Sequence, residues 1–367
     1  MAHGMGALVA AEMVERAITF QLLELDLSYQ HLKTCPAQLP ELGSILVTLN
    51  LSNNRLTGLP DDLSNLCCVE ELFLQYNCLM KLPESIGCMT RLYELDVKNN
   101  RLVALPASIG NLTCLAILNT TNNVLTSVPP SLGRVIKLQE LCLHSNRLKD
   151  LPENVCKLKD LESLYLGENR LECLPFKIGH FRQMTEMDVS GCELRQLPNS
   201  ICDCVSLKKL WVCSNRLMGL PAQMGRLVNL KELHVRRNQI RAFPASLARL
   251  HVYTFTAYNN PLLDEYNKLG LQRLTKEPKD DLPPLLELSA RAVYNHGIEH
   301  NTGCIPQELE ALLSSVRICS SCGGPFFFHF RSNVFFHTVG VFHRVPLLQQ
   351  LCSPLGNKKC VPLESKR

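Results

Sequence analysis

Apolar and polar positions in this chain follow one recurring word. It is clearest from Leu138 to Pro152, where it reads L-x-x-L-x-L-x-x-N-x-L-x-x-L-P, with Val155 and Leu158 three and six residues beyond the proline. The word returns at a 23-residue step, so that its asparagine falls at Asn54, Asn77, Asn100, Asn123, Asn146 and Asn169, yields once to Cys192, and resumes at Asn215 and Asn238. A 24-residue step back reaches a degenerate copy at Gln30, and a 22-residue step forward reaches a last one at Asn260. That is about 11 copies, and a fixed period of this length signals units that stack.

Each position of the word has a physical task. In the L-x-L segment the two apolar residues face one way and the residue between them the other, which is the period of a strand. Strands from successive copies then pair in parallel. The asparagine turns inward, where its amide satisfies backbone groups at the bend, and a thiol at Cys192 still donates weakly. Proline lacks an N–H, so the Leu-Pro step ends strand pairing. The apolar residues three and six beyond it, Ile109 and Leu112 for example, line the inner side of a short helical return. No copy buries its apolar face alone, so stacking supplies the core. The expected fold is α/β, a leucine-rich repeat solenoid of about 11 repeats with a parallel sheet on its concave face and a small C-terminal helical and zinc-ribbon-like module.

Composition changes this picture little. The chain has 367 residues, 46% of them apolar, and a net charge of +4, which suits a globular protein and by itself points to neither nucleic acid nor membrane. No apolar run has the roughly 18 to 20 residues that span a bilayer, and Glu12, Glu15 and Arg16 argue against a signal peptide. Of the 18 cysteines, most lie singly through the array with no flanking disulfide cluster, as in a reduced compartment. The expected location is cytoplasmic, or also nuclear. Residues 1–21 read as an N-terminal cap, with a short amphipathic helix over Met5 to Ala17 or a loose tail. Repeats occupy 22–263, and a charged cap and proline-rich linker occupy 264–284.

The register names the concave face. The column between the strand leucines runs Asp26, Asn50, Phe73, Asp96, Asn119, Cys142, Tyr165, Asp188, Trp211, His234, Thr256. Early coils add Glu71 and Glu94, whereas late ones carry Lys208, Lys209, Arg236, Arg237 and, further along, Tyr258. Tyr165, Lys209, Trp211, His234, Arg236, Arg237 and Tyr258 have the composition of a binding hot spot, and alternation predicts Trp211 exposed. No nucleophile, base and carboxylate recur together, and no phosphate loop is present. The expectation is therefore a protein-binding surface, not an enzyme.

Beyond the linker, residues 285–316 hold two amphipathic helical stretches, one placing Leu285, Ser289 and Val293 four apart and the other carrying Pro306, Leu309 and Leu313. Residues 317–367 form a cysteine-containing, β-rich tail with strand-like runs at Phe326–Phe330 and Val334–Val345. Cys319-Ser320-Ser321-Cys322-Gly323-Gly324 is half of a structural zinc ribbon. Cys319, Cys322 and Cys352 are the better ligands for one structural zinc, with Cys360, His329, His337 or His343 as fourth; reduced cysteines in a small hairpin are the alternative.

These residues carry a resemblance. The repeats resemble the intracellular L-P-x-x-I class of Shoc2-type and Ras-suppressor proteins. Leu285, Ser289 and Val293 resemble an elongin BC box with serine at its usual cysteine, and Ile305-Pro306 with Leu309 and Leu313 resemble a cullin-2 box. The C-terminal stretch, with Cys322-Gly323-Gly324 and Leu351-Cys352-Ser353-Pro354, is similar to the leucine-rich repeat substrate receptors of cullin-2 ligases, the family of LRR protein one. The resemblance implies a protein substrate on the concave face, with elongin B/C and cullin-2 held at the boxes. The alternative is a Shoc2-like signalling scaffold with no ligase.

Overall fold

The computed structural model describes residues 2–262, together with the backbone of strands at 317–318, 325–326, 330–339 and 342–352. The chain divides into two compact units, residues 1–215 and 216–367.

The first unit opens on helix α1 (Ala2–Phe20), longer at both ends than the Met5–Ala17 stretch read from the sequence. Its inner stripe is Ala10, Val14 and Ala17, each fully buried at the spacing of one helix face. Gly6 lets the helix close on the first coil, since a Cβ there would stand 2.0 Å from the Gln30 carbonyl oxygen. Nine three-residue strands follow: β1 (Glu24–Asp26), β2 (Thr48–Asn50), β3 (Glu71–Phe73), β4 (Glu94–Asp96), β5 (Ile117–Asn119), β6 (Glu140–Cys142), β7 (Ser163–Tyr165), β8 (Glu186–Asp188) and β9 (Lys209–Trp211). Each pairs with the next in parallel, leucine opposite leucine or its methionine substitute, as in Leu141↔Leu164 and Leu164↔Met187.

The returns are 3₁₀ turns. Glu84–Cys88, Ala107–Asn111 and Glu153–Lys157 each start directly after the proline of the Leu-Pro step. The proline's fixed φ suits the entry, and its missing N–H costs nothing there. Leu141, Leu143, Leu148, Val155 and Leu158 of a single repeat are all fully buried, so one copy supplies one complete slice of core.

The asparagines stitch slice to slice. Asn146 donates through Nδ2 to the Thr120, Leu143 and His144 carbonyls at 3.0, 3.1 and 3.2 Å, and its Oδ1 accepts the Leu125 N–H at 3.0 Å. The residue before each asparagine is left-handed (Tyr76, Asn99, Ser145 and Ser214 among them), with φ between 52° and 58° for these four. That conformation swings the chain out of the strand and aims the next side chain inward. It costs a non-glycine residue roughly 1 to 2 kcal/mol, less for asparagine. At Cys192 the stitch is weak: the thiol's nearest carbonyls are Leu166 at 3.5 Å and Ser190 at 3.8 Å.

The second unit continues the same local grammar. Strands β10 (Glu232–His234) and β12 (Thr254–Thr256) pair in parallel, and Asn260 bonds the Val235 carbonyl and the Ile240 N–H. One departure concerns the Leu-Pro step. After Leu220-Pro221 the next such step reads Phe243-Pro244 and forms strand β11, paired in parallel with β16 (Phe342–Cys352). Proline's carbonyl still accepts although its nitrogen cannot donate, so an edge position tolerates it. Phe243 meets Phe255 edge to face, with ring centroids 5.3 Å apart.

Strands β13 (Arg317–Ile318) and β14 (Pro325–Phe326) pair antiparallel, and β15 (Phe330–Val339) forms an antiparallel hairpin with β16. The run read as Val334–Val345 is therefore two strands, with Val339 opposite Phe342; apolarity alone does not mark the reversal. The linker and both box-like stretches, with Leu285, Ser289, Val293, Pro306, Leu309 and Leu313, lie outside the described residues.

Candidate functional site

The concave face of the first unit is built from side chains at the first and third positions of each strand, which alternation turns away from the core. At its late end they form a bonded group. The Tyr165 hydroxyl donates to Glu186 Oε2 at 2.8 Å, and Lys209 Nζ lies 2.9 Å from Glu186 Oε1. The same ammonium sits 5.8 Å from the centroid of the Trp211 ring, within cation–π range. Burial pushes the Tyr165 phenol up to about 12, and the Glu186 carboxylate that accepts its proton adds to the shift. Burial works against the charged form of Glu186 too, but the bonds from Lys209 and Tyr165 outweigh it and hold the carboxyl below its ordinary range. Trp211 is half-buried, not exposed as alternation alone suggests. Strands only ~4.8 Å apart crowd large neighbours against one another.

Toward the middle of the same unit the face is acidic. Glu94 stands in register with Glu71, and burial, then Glu71, Asp96 and Glu140, raise its pKa. Asp96 is buried and paired with Lys98 Nζ at 3.1 Å. The Cys142 thiol donates to Glu140 at 3.2 Å, and burial together with that carboxylate pushes the thiol far up. Carboxylates thus crowd together at β3, β4 and β6, whereas β9 carries a lysine–tryptophan pair.

The sequence-predicted hot spot divides between the units. Tyr165, Lys209 and Trp211 come together in the first through Glu186. In the second unit Arg236 stacks on Tyr258, with Cζ 5.7 Å from the ring centroid, and also donates to its hydroxyl. There His234 Nδ1 meets Thr256 Oγ1 at 2.9 Å and Nε2 faces Glu232 at 3.6 Å. Arg237 is exposed and left-handed, at φ 55°. Sequence reasoning missed Glu186 and Glu140. Their signal was the column one step before the first strand leucine, read only in part.

Among the described residues no group of three or more His, Cys, Asp or Glu side chains is placed to hold a metal. Cys319, Cys322 and Cys360 lie outside those residues, and Cys352 is described only as backbone at the end of β16. All thirteen cysteines between Cys35 and Cys213 are free thiols. No described helix is long and apolar enough to cross a membrane.

Two family models match, "Leucine Rich repeats (2 copies)" over residues 136–177 and "Leucine Rich Repeat" over residues 46–66. No curated protein matches the chain. Among solved structures, Toll in the Drosophila Toll–Spatzle complex is 22% identical over 70% of this chain and 36% of its own, with a TM-score of 0.59. A TDR receptor is 26% identical over 67% of this chain and 48% of its own, at 0.57. The plant peptide hormone receptor RGFR1, solved with RGF2, is 24% identical over 62% of this chain and 42% of its own, at 0.53. The chain thus spans less than half the length of each of these three. The asparagine stitch, the nine stacked coils of the first unit and these matches show that the chain has a leucine-rich repeat fold.

Proposed function

We propose that the protein binds a protein partner on its concave face and performs no catalysis there. The observation that carries this reading is the Tyr165–Glu186–Lys209–Trp211 group. It is a set of large, half-buried aromatic and charged side chains already fixed by their mutual bonds, so little side-chain freedom is left to lose on binding. Two of the solved solenoids are complexes, Toll with Spatzle and RGFR1 with RGF2. Those ligands belong to those proteins. Removing an aromatic anchor from a hot spot costs about 2 kcal/mol or more, so Trp211→Ala weakens the partner about thirtyfold. Unchanged partner binding in that variant would refute the assignment.

The finer reading is a substrate receptor of an elongin–cullin-2 ubiquitin ligase. It is supported by the resemblance of Leu285, Ser289 and Val293, followed by Pro306, Leu309 and Leu313, to the two boxes in their expected order. Purification with elongin B and C tests it, and Leu285→Ala should remove them while leaving the solenoid's circular dichroism unchanged. Wild-type protein that recovers no elongin would leave the scaffold reading in place. The single structural zinc proposed for Cys319, Cys322 and Cys352, with Cys360 or a histidine, is tested by elemental analysis of never-chelated protein. About one zinc per chain is expected, lost in the Cys319→Ser, Cys322→Ser double variant.

A further inference from the structure

A groove of about 620 Å³ lies in the first unit off the concave sheet, along the edge where the chain enters the strands. Its origin is a dent in two columns. One runs Glu70, Tyr93, Ala116, Gln139 and Glu162; the other runs Arg91, Cys114, Lys137 and Asp160. Only the coil of Cys114 and Ala116 is small in both, so those residues form the floor between taller neighbours. Ala116 is buried and Tyr93 is 44% exposed, standing as one wall.

The charges around the dent are ordered. Coil by coil they read Glu70, Arg91, the uncharged floor, Lys137, Asp160, a sequence of minus, plus, neutral, plus, minus. No two of them pair. The Arg91 side chain reaches only Cys68 Sγ, at 3.7 Å, and no ion pair joins any of the four to another described residue. All four are exposed. The backbone here is already satisfied, because the Tyr93, Ala116 and Gln139 N–H groups each donate to the preceding coil at 2.7 to 2.8 Å. The groove therefore cannot extend the sheet by adding a strand. What it presents to its surroundings is side chains.

We propose that this groove is a second protein-docking site, taking an extended peptide segment with an acidic residue at its centre and a basic residue about three positions away on either side. Coils lie ~4.8 Å apart, so a carboxylate above Cys114 is ~5 Å along the axis from both the Arg91 and Lys137 rows. Glu70 and Asp160 are each two coils, ~10 Å, from that centre, which is the length of about three extended residues at ~3.3 Å each. Tyr93 and the Ala116 floor take the apolar side chain between. The open, polar-rimmed shape fits a segment of chain better than an enclosed small molecule, which is held in a deep and mostly apolar pocket. The site shares no residue with the Tyr165–Trp211 group, so the two assignments stand or fall separately.

Cys114 reports on occupancy. The tryptic fragment Leu102–Arg134 contains it as its single cysteine, so alkylation of the full chain by iodoacetamide can be followed at this residue by mass spectrometry. The probes are a capped heptapeptide Lys-Leu-Thr-Glu-Val-Thr-Lys and its charge-inverted form Glu-Leu-Thr-Lys-Val-Thr-Glu. The acid-centred peptide at millimolar concentration should slow alkylation about threefold, as for a site two-thirds occupied, and the inverted one should not. Arg91→Glu with Lys137→Glu should exchange the preference. Arg91→Lys should keep it. Both positions are exposed, and an unchanged circular dichroism spectrum verifies that the variants fold. The proposal is overturned if neither peptide protects Cys114, if both do so equally, or if inorganic phosphate or ATP protects it while the acid-centred peptide does not.

Discussion

Replacing Asn146 by alanine tests how the coils are joined. The substitution removes three donated bonds and one accepted bond, but the losses differ in kind. The Thr120 carbonyl keeps Asn123 Nδ2, the Leu143 carbonyl keeps Asn169 Nδ2, and the His144 carbonyl keeps the Asn122 N–H. None of the three acceptors is orphaned. The Leu125 N–H is: its partner is Asn146 Oδ1, and it sits against a fully buried leucine. A stranded buried donor costs about 1 to 3 kcal/mol, and each exchanged bond a further fraction of about 1 kcal/mol. The sum is about 3 kcal/mol. The same substitution at Cys192 removes only two long thiol contacts, to the Leu166 and Ser190 carbonyls, and should cost about 1 kcal/mol. Urea unfolding followed by circular dichroism measures both, with the midpoint expected to shift at constant slope. Amide exchange at Leu125 gives the local readout, and its protection should fall in Asn146→Ala beyond the global loss. Equal costs at the two positions, or an unchanged Leu125 amide, would refute the reasoning.

Three further outcomes follow from the same geometry. Cys192→Asn completes the stitch and should raise stability by about 1 kcal/mol, read as a higher urea midpoint. Ser214→Gly relieves a left-handed residue at φ 52° and should stabilise by about 1 kcal/mol, whereas the same change at an ordinary φ, as at Ser163, should destabilise. The carboxylates respond to pH in opposite senses. Glu186 has a lowered pKa, so the stability it contributes is present at neutral pH and lost as pH falls through its folded-state value. Glu94 has a raised one, so its ionisation opposes folding and stability declines as pH rises through the window above the ordinary glutamate range. Trp211, the single tryptophan, should change its emission as Glu186 protonates and releases Lys209, and this acid transition should vanish in Glu186→Gln.

Residues speaking for themselves in the sequence were those whose task is local or strictly repeated. A strand leucine such as Leu141, the inward asparagine and the proline that opens each return depend only on their own coil and its identical neighbour, so the 23-residue period was enough to place them. The concave columns were legible for the same reason: alternation fixes which way Tyr165, Lys209 and Trp211 face. What the sequence could not show was contact between side chains of different coils. Glu186 gathers Tyr165 from the coil before and Lys209 from the coil after, a matter of reach and rotamer across two strand spacings, and the same Lys209 lies over the Trp211 ring. The groove over Cys114 is likewise an absence, visible only where two small residues from adjacent columns coincide. Phe243-Pro244 marks the limit most plainly. Its proline reads as the end of pairing, yet a hairpin far later in the chain supplies a partner strand, with Phe243 opposite Leu347, because only tertiary structure decides which distant backbone meets a free carbonyl.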